Sequence, residues 1–586
     1  MNSKTFNLGI TMAGAVSAGA YTAGFMDYLI EVLNNWEEQK ISIRKKLKDN
    51  KPLIEFEKKI PLHDVSIEAL GGASAGGMVS MITALSFYKS FKPVDIPTDQ
   101  KTGNFLYDSW VLLNDDIAKN ITTFEKMLST DDFDNNPEGI PSLLNSKSID
   151  SIADKVFEFF EENSSGEIMP SYISKDLRIL LTLCSLRGIP FELNFKNFSS
   201  ANFPHTPGHR MNEHMIVAHF KVDHNNKTDQ NFYLNFDPFS QESRDLLKLC
   251  TKATGAFPLG LAARNFEGVL SPEYVKNCIL RNLEIDNKKG IDIKINDPSF
   301  DFTCIDGGTI NNEPYSEVVQ VLESKRPEGD PKKPMSGVIM VDPFPNFYNQ
   351  DEPGEVENPI TSSLFQNNIW KVIPKAYTTF REQVRVKHAG SFYKDYLRLL
   401  IFPVKWEQIG VLKDHPPISC ASLGGFGGFL NREFRKHDFF LGRDNARNFL
   451  RAYCMLEYEP ENPHPLFQDI DQSSVEIFGK RTEGKTFLPI IPDINFIEDK
   501  ANGQSNPFKY TVEDFPKIDN SYFDKIKPAL SRRVKKMLTH EINKYFENKW
   551  LFRNASKVFR GLITKRITSY VIKTMKKDFQ NRKMLD

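Results

Sequence analysis

The pentapeptide Gly72-Ala73-Ser74-Ala75-Gly76 sets a serine among small residues, directly after the strand-like run Val65-Ser66-Ile67-Glu68-Ala69-Leu70. Met78, Ile82 and Leu85 follow it at helical spacing. A serine can act as a nucleophile when a tight strand-to-helix turn lifts its hydroxyl above the sheet edge. Glycines on both sides let strand and helix come close without a Cβ between them. The G-x-S-x-G pattern, with a strand before it and a helix after it, is the context this chemistry needs. A glycine turn that only happens to contain a serine is the competing reading.

Two further stretches bear on the same chemistry. The strand-like Leu8–Met12 enters a small-residue loop, Ala13 to Gly19, and a helix with Ala23, Met26, Ile30 and Leu33 on one face leaves it. Backbone N–H groups at a helix start are unpaired and carry partial positive charge, so such a loop can hold an oxyanion or a phosphate. No lysine follows its glycines, which argues against a nucleotide-binding P-loop. Further on, Phe302-Thr303-Cys304-Ile305-Asp306-Gly307-Gly308 ends a short strand in a carboxylate followed by two glycines. An aspartate at a strand's carboxyl end sits where α/β folds place their ligands and can serve as a base. A plain Asp-Gly-Gly turn is the alternative.

Taken together and in this order, the three stretches resemble the patatin-like phospholipases. That family carries a glycine-rich oxyanion loop, a G-x-S-x-G elbow and an Asp-Gly-Gly or Asp-Gly-Ala turn. Ala253–Leu261 (ATGAFPLGL) is similar to the small-residue block before the family's Asp-Gly turn, and the resemblance covers roughly residues 5–345. It implies a Ser–Asp dyad with no histidine and no metal or cofactor, with acyl lipid as substrate and an acyl-enzyme intermediate. Carried over, Ser74 is the nucleophile, Asp306 the base, and the N–H groups of Gly14, Ala15 and Val16 the oxyanion donors. Gly72, Gly76, Gly307 and Gly308 are the motif glycines.

One loop departs from the family pattern G-G-G-x-[RK]-G. Here Gly14-Ala15-Val16-Ser17-Ala18-Gly19 has Ala18 at the basic position and Ala15 and Val16 at two glycine positions. Backbone donors survive any substitution but proline, yet a β-branched valine is strained if the loop requires positive φ there. That departure keeps a second class open, a non-catalytic patatin-like binding module. A conventional Ser-His-Asp esterase would need a late histidine. His388, His415, His437 and His464 are the candidates, and none sits in a glycine-flanked loop after a strand.

The elements that must position these residues alternate strand and helix up to about residue 350. Strands are expected at Phe6–Met12, Val65–Leu70, Ile179–Cys184, Met215–Val222, Asp301–Ile305 and Val338–Val341. The expected class is α/β, a layered patatin-like hydrolase with a mainly parallel central sheet plus a helical C-terminal portion. A helical insertion at about 89–170 interrupts the 5–345 catalytic part, with helices over Asp108–Lys119 and Ile149–Glu162 around the loop STDDFDNNPEG. It reads as a lid over a pocket or as solvated decoration. Residues 346–457 read as a mainly helical accessory region, with helices at Ser363–Val386 and Lys436–Tyr453 and a glycine-aromatic packing turn, SLGGFGGFL, at Ser422–Leu430. An irregular linker is expected over 458–516 and a basic helical tail over 517–586.

Composition narrows the partners. The 586 residues are 40% apolar and 26% charged with a net charge of −1, so nothing draws the whole chain to nucleic acid, and none is expected as a partner. Six cysteines without metal-ligand spacing fit buried free thiols in a reducing compartment. The N-terminus reads as a first strand rather than a signal peptide, and no window nears 18 uninterrupted apolar residues. The expectation is a cytoplasmic protein, peripheral at the membrane. The charge is uneven: residues 517–586 hold 19 Lys and Arg against 6 Asp and Glu. Val534, Leu538 and Ile542 recur at helical spacing there, with Trp550 and Phe552 beyond. The tail is either a subdomain packed on the core or an anchor for an anionic membrane surface.

Overall fold

The computed structural model describes residues 5–344, 397–405 and 417–586, apart from 90, 136–138, 164–168, 194–208, 224–228, 284–290, 294, 326–332, 504–510, 512–514 and 546–549. The helix expected over 363–386, and His388 and His415, lie outside those residues.

Runs of small and branched apolar residues form β1 (Thr5–Met12) and β2 (Asp64–Gly72), both almost wholly buried. A parallel sheet covered on both faces demands such continuous burial. The other strands of this sheet are β3 (Ile173–Leu193), β4 (His209–Val222), β5 (Leu234–Phe236), β6 (Arg264–Phe266), β7 (Ile291–Asp292), β8 (Phe302–Asp306), β9 (Ser336–Val341) and β10 (Leu397–Ile401). They order as β10-β9-β1-β2-β3-β4-β5, with β7 and β8 paired to β3 and β6 to β8. Every pair from β10 to β3 is parallel, and β4 turns antiparallel. All six expected strands form, and the class is α/β with a mostly parallel central sheet.

Helices cover both faces. α1 (Gly19–Lys48) and α2 (Ser74–Ser86) leave the first two strands, followed by α3 (Lys147–Asn163) and α4 (Gln241–Thr254). On the opposite face α5 (Tyr315–Ser324) packs Val318, Val319 and Leu322 on Ala69, Leu180, Val217 and Val338. α6 (Arg432–Ala452) joins the first layer, where Arg443 reaches the buried Asp27 and Glu31 on α1. Burial pushes the Asp27 carboxyl up to about 6, against the pull of Arg443. The tail folds into a hairpin of α7 (Ser521–Tyr545) and α8 (Trp550–Asn581).

Three boundaries differ from those expected. The sheet does not end near residue 345, because β10 pairs in parallel with β9 and the accessory region completes the same sheet. The stretch 458–516 is not wholly irregular: β11 (Met455–Tyr458), β12 (Lys480–Thr482) and β13 (Lys485–Pro489) form an antiparallel sheet. Its tight turn uses Glu483 and Gly484, both at positive φ, a weaker signal in sequence than Asn-Gly or Asp-Gly. The expected helix over Asp108–Lys119 ends at Leu112, and Leu113 takes φ +50. Asp115 then accepts the N–H and the hydroxyl of Thr123, which folds the chain back. Among the described residues no helix is long and apolar enough to cross a membrane. All six cysteines are buried and unbridged.

Candidate active site

The long strand β3 acts as a ruler for the site. Gly72, the last residue of β2, is level with Leu181, and Asp306, the last of β8, is level with Leu183. β4 occupies the other edge of β3, so β2 and β8 share one edge and end facing each other. Ser74 follows the first of these ends, and its Oγ donates to Asp306 Oδ2 at 2.6 Å. Both residues are buried.

The elbow is as tight as its glycines require. Ser74 stands at φ +50, uncommon for a residue with a side chain. A Cβ on Gly72 would lie 2.4 Å from the Gly76 carbonyl carbon, and one on Gly76 would lie 2.1 Å from Met12 O at the end of β1. The block 253–261 secures both members of the pair, a role its composition did not reveal. Thr254 Oγ1 accepts the Ser74 N–H at 3.0 Å and donates to Thr182 O, while Ala256 O accepts the Asp306 N–H. The other carboxylate oxygen of Asp306 accepts the Gly308 N–H at 2.7 Å, and Gly307 starts the turn that follows. Cys184, next on β3, is no rival nucleophile, since burial and then the charge of Asp306 push its thiol up to about 11.

The loop after β1 lies over this pair. Of its three expected donors, Gly14 is already engaged: its N–H donates to the Asn312 carbonyl at 3.2 Å, and Asn312 Nδ2 donates back to Gly14 O. Ala15 and Val16 open the short 3-10 turn Val16–Ala18, whose first N–H groups have no acceptor within the turn. Val16 does adopt φ +50, the strained conformation that its branched side chain disfavours. The turn 422–430 holds it there. Ser17 Oγ donates to Gly425 O and accepts the Gly428 N–H, while Gly425 packs against the Val16 side chain. Asn312, Ser17 and this turn carried no catalytic signature of their own in the sequence.

An apolar cavity of about 40 Å³ opens beside Ser74, lined by Val16, Met78, Ile82, Phe257, Leu261 and Phe429. Ser109, Trp110, Leu113, Ile149 and Ile152 of the insertion close its other side. No histidine lines it among the described residues. His437 is buried against Asp438 and Phe515, and His464 faces Pro334 O. Among the described residues there is also no cluster of ligands for a metal ion.

No family model matches the chain. It is similar to "Uncharacterized protein y4iI" of Sinorhizobium fredii (strain NBRC 101917 / NGR234), at 27% identity over 542 residues, covering 83% of this chain and 70% of that one. Such coverage exceeds what residues 5–345 alone could supply, so the likeness extends into the C-terminal part that holds Val16 in place.

Proposed function

We propose that the protein is a patatin-like serine acyl hydrolase that cleaves acyl esters of lipids through a Ser74–Asp306 dyad. The 2.6 Å hydrogen bond between Ser74 Oγ and Asp306 Oδ2, at the foot of an apolar cavity, carries the reading. Ser74 Oγ attacks the ester carbonyl while Asp306 takes its proton. The oxyanion that forms is stabilised by the N–H groups of Ala15 and Val16 rather than Gly14. Asp306 then protonates the departing alcohol, and a water activated by the same carboxylate releases the acyl group from Ser74. No metal or cofactor is needed for these steps.

The cavity holds only a few waters at roughly 10–15 Å³ each, too little for an acyl chain. Trp110, Leu113, Ile149 and Ile152 therefore act as a lid that moves aside as substrate enters. The same narrowness, with the engaged Gly14 N–H, favours the second reading, a non-catalytic binding module. A fluorophosphonate probe separates the two, since only an activated serine reacts with it. Labelling of the wild type at Ser74, lost in Ser74→Ala and strongly slowed in Asp306→Asn, is the expected result. An unlabelled wild type would leave the binding module.

A further inference from the structure

We infer that the outward face of α8 is a docking surface for an anionic lipid bilayer, an inference that rests on the lipid-directed reading of the Ser74 site. α8 is apolar on two sides. One side, with Thr564, Thr568, Ile572, Met575 and Phe579, is buried. The other carries Phe559, Leu562, Ile563, Ile567 and Tyr570, exposed to 66, 58, 42, 37 and 72%. Their spacing places them on one stripe of the helix. A helix with two apolar sides calls for two partners, and the described residues supply one.

Charge selects the second partner. Residues 550–577 contain eight Lys and Arg and no Asp or Glu. Three cations of α7 are engaged with the insertion: Arg533 forks onto Asp132, Lys525 meets Glu125 and Lys536 meets Asp134. On α8, Lys565 lies beside the stripe, Arg566 within it and Lys573 and Lys577 in line with it beyond Tyr570, and none of the four has an ion-pair partner among the described residues. A second copy of this chain would set like charge against like charge around the stripe. An anionic interface instead takes the apolar stripe into its acyl boundary and these cations at its headgroups. The face sought in the sequence around Val534, Leu538 and Ile542 is partly buried and belongs to the packing of α7 instead.

The test is co-sedimentation of the Ser74→Ala protein with vesicles of phosphatidylcholine alone or mixed with phosphatidylserine. One variant neutralises the cations (Lys565→Gln, Arg566→Gln, Lys573→Gln, Lys577→Gln) and a second strips the stripe (Leu562→Ser, Ile563→Ser, Ile567→Ser, Tyr570→Ser). Binding should require phosphatidylserine, weaken with added salt, and fall on the order of 100-fold in the first variant. The second should fall as far, with both melting curves unchanged. Sedimentation that ignores either set of substitutions overturns the inference. So does a stripe variant whose only change is a smaller mass in solution, which would assign the face to a second copy. Hydrolysis of a short soluble ester by the same surface variants, with Ser74 intact, tests the proposed activity separately.

Discussion

Ser74 and Val16 stand at the same backbone angle, φ +50, on either side of the candidate site, and they are held there by unlike means. Ser74 is held chiefly by its neighbours. The strand before it, the helix after it and two glycines within two residues make the turn, and a hydrogen bond from its N–H to Thr254 Oγ1 secures it. Val16 has a glycine two residues away on one side only, Gly14, and a branched side chain, and its strain costs of the order of 1–3 kcal/mol. Its support comes from a turn some four hundred residues away. There, Leu423, Gly424 and Gly425 are themselves at positive φ, and Ser17 is gripped from both sides. Within this chain the same conformation is made in one place chiefly by neighbouring sequence and in the other chiefly by tertiary contact.

The largest effect should come from the local side. Ser74→Ala should lower ester turnover by about 10⁴-fold or more and Asp306→Asn by roughly 10²–10⁴-fold, with the double variant hardly worse than Ser74→Ala. Steady-state rates on a soluble ester, with circular dichroism to confirm the fold, measure this. Near-normal turnover in Asp306→Asn would remove the dyad.

The remote side is tested at Gly428, where a Cβ would lie 2.6 Å from both Cys420 Sγ and Ser17 Oγ. Gly428→Ala should push Ser17 away and release the strained loop. Loss of one well-placed oxyanion donor sets the scale, about 10²-fold in kcat, with little change in KM. The overpacking itself costs about 1–3 kcal/mol of stability. If kcat stays intact while stability falls, the turn is packing alone and the comparison with Ser74 collapses.

The difference between the two supports also explains what could be read from the sequence. Six of the thirteen described strands were legible, because apolar runs carry a local signal, while the approach of Ser74 to Asp306 was implied only by the resemblance to a family. The engaged Gly14 N–H was not legible, since its acceptor, the Asn312 carbonyl, is a backbone atom brought near only by the turn after β8. Nor was the β12–β13 hairpin, whose Glu-Gly turn lacks the usual residues. The basic tail was legible as helix and as charge. How it divides that charge between the insertion and the outer face of α8 depends on packing that no window of sequence contains.

A smaller effect is expected at Thr254, which ties the local support to α4. Thr254→Val keeps the shape but leaves the Ser74 N–H and Thr182 O without their shared partner, a cost of about 1–3 kcal/mol. Turnover should drop roughly tenfold, in line with part of that cost falling on the elbow geometry. Thr254→Ser restores the hydroxyl and should recover most of the rate, which a general packing defect would not allow.

The smallest expected effect lies at the far end of the remote support. Asp578, near the end of α8, accepts the Leu423 N–H at 2.8 Å and also meets Arg582 at 3.1 Å. Leu423 opens the positive-φ run that ends at Gly425, so Asp578 links the tail hairpin to the turn that holds Val16. The carboxylate is about one-third exposed, at 31%, and solvent screens much of its charge. What remains is chiefly a single charge-assisted hydrogen bond to the backbone. Asp578→Ala should therefore slow turnover only a few-fold, about 1 kcal/mol of barrier, while Asp578→Asn, which keeps an acceptor oxygen, should sit near wild type. Combined with Gly428→Ala, Asp578→Ala should add almost nothing, because both would act through the same turn. Fully multiplicative effects in that double variant would mean that the tail and the turn reach the site by separate routes. Val16 would then owe its conformation to the loop itself, as Ser74 does.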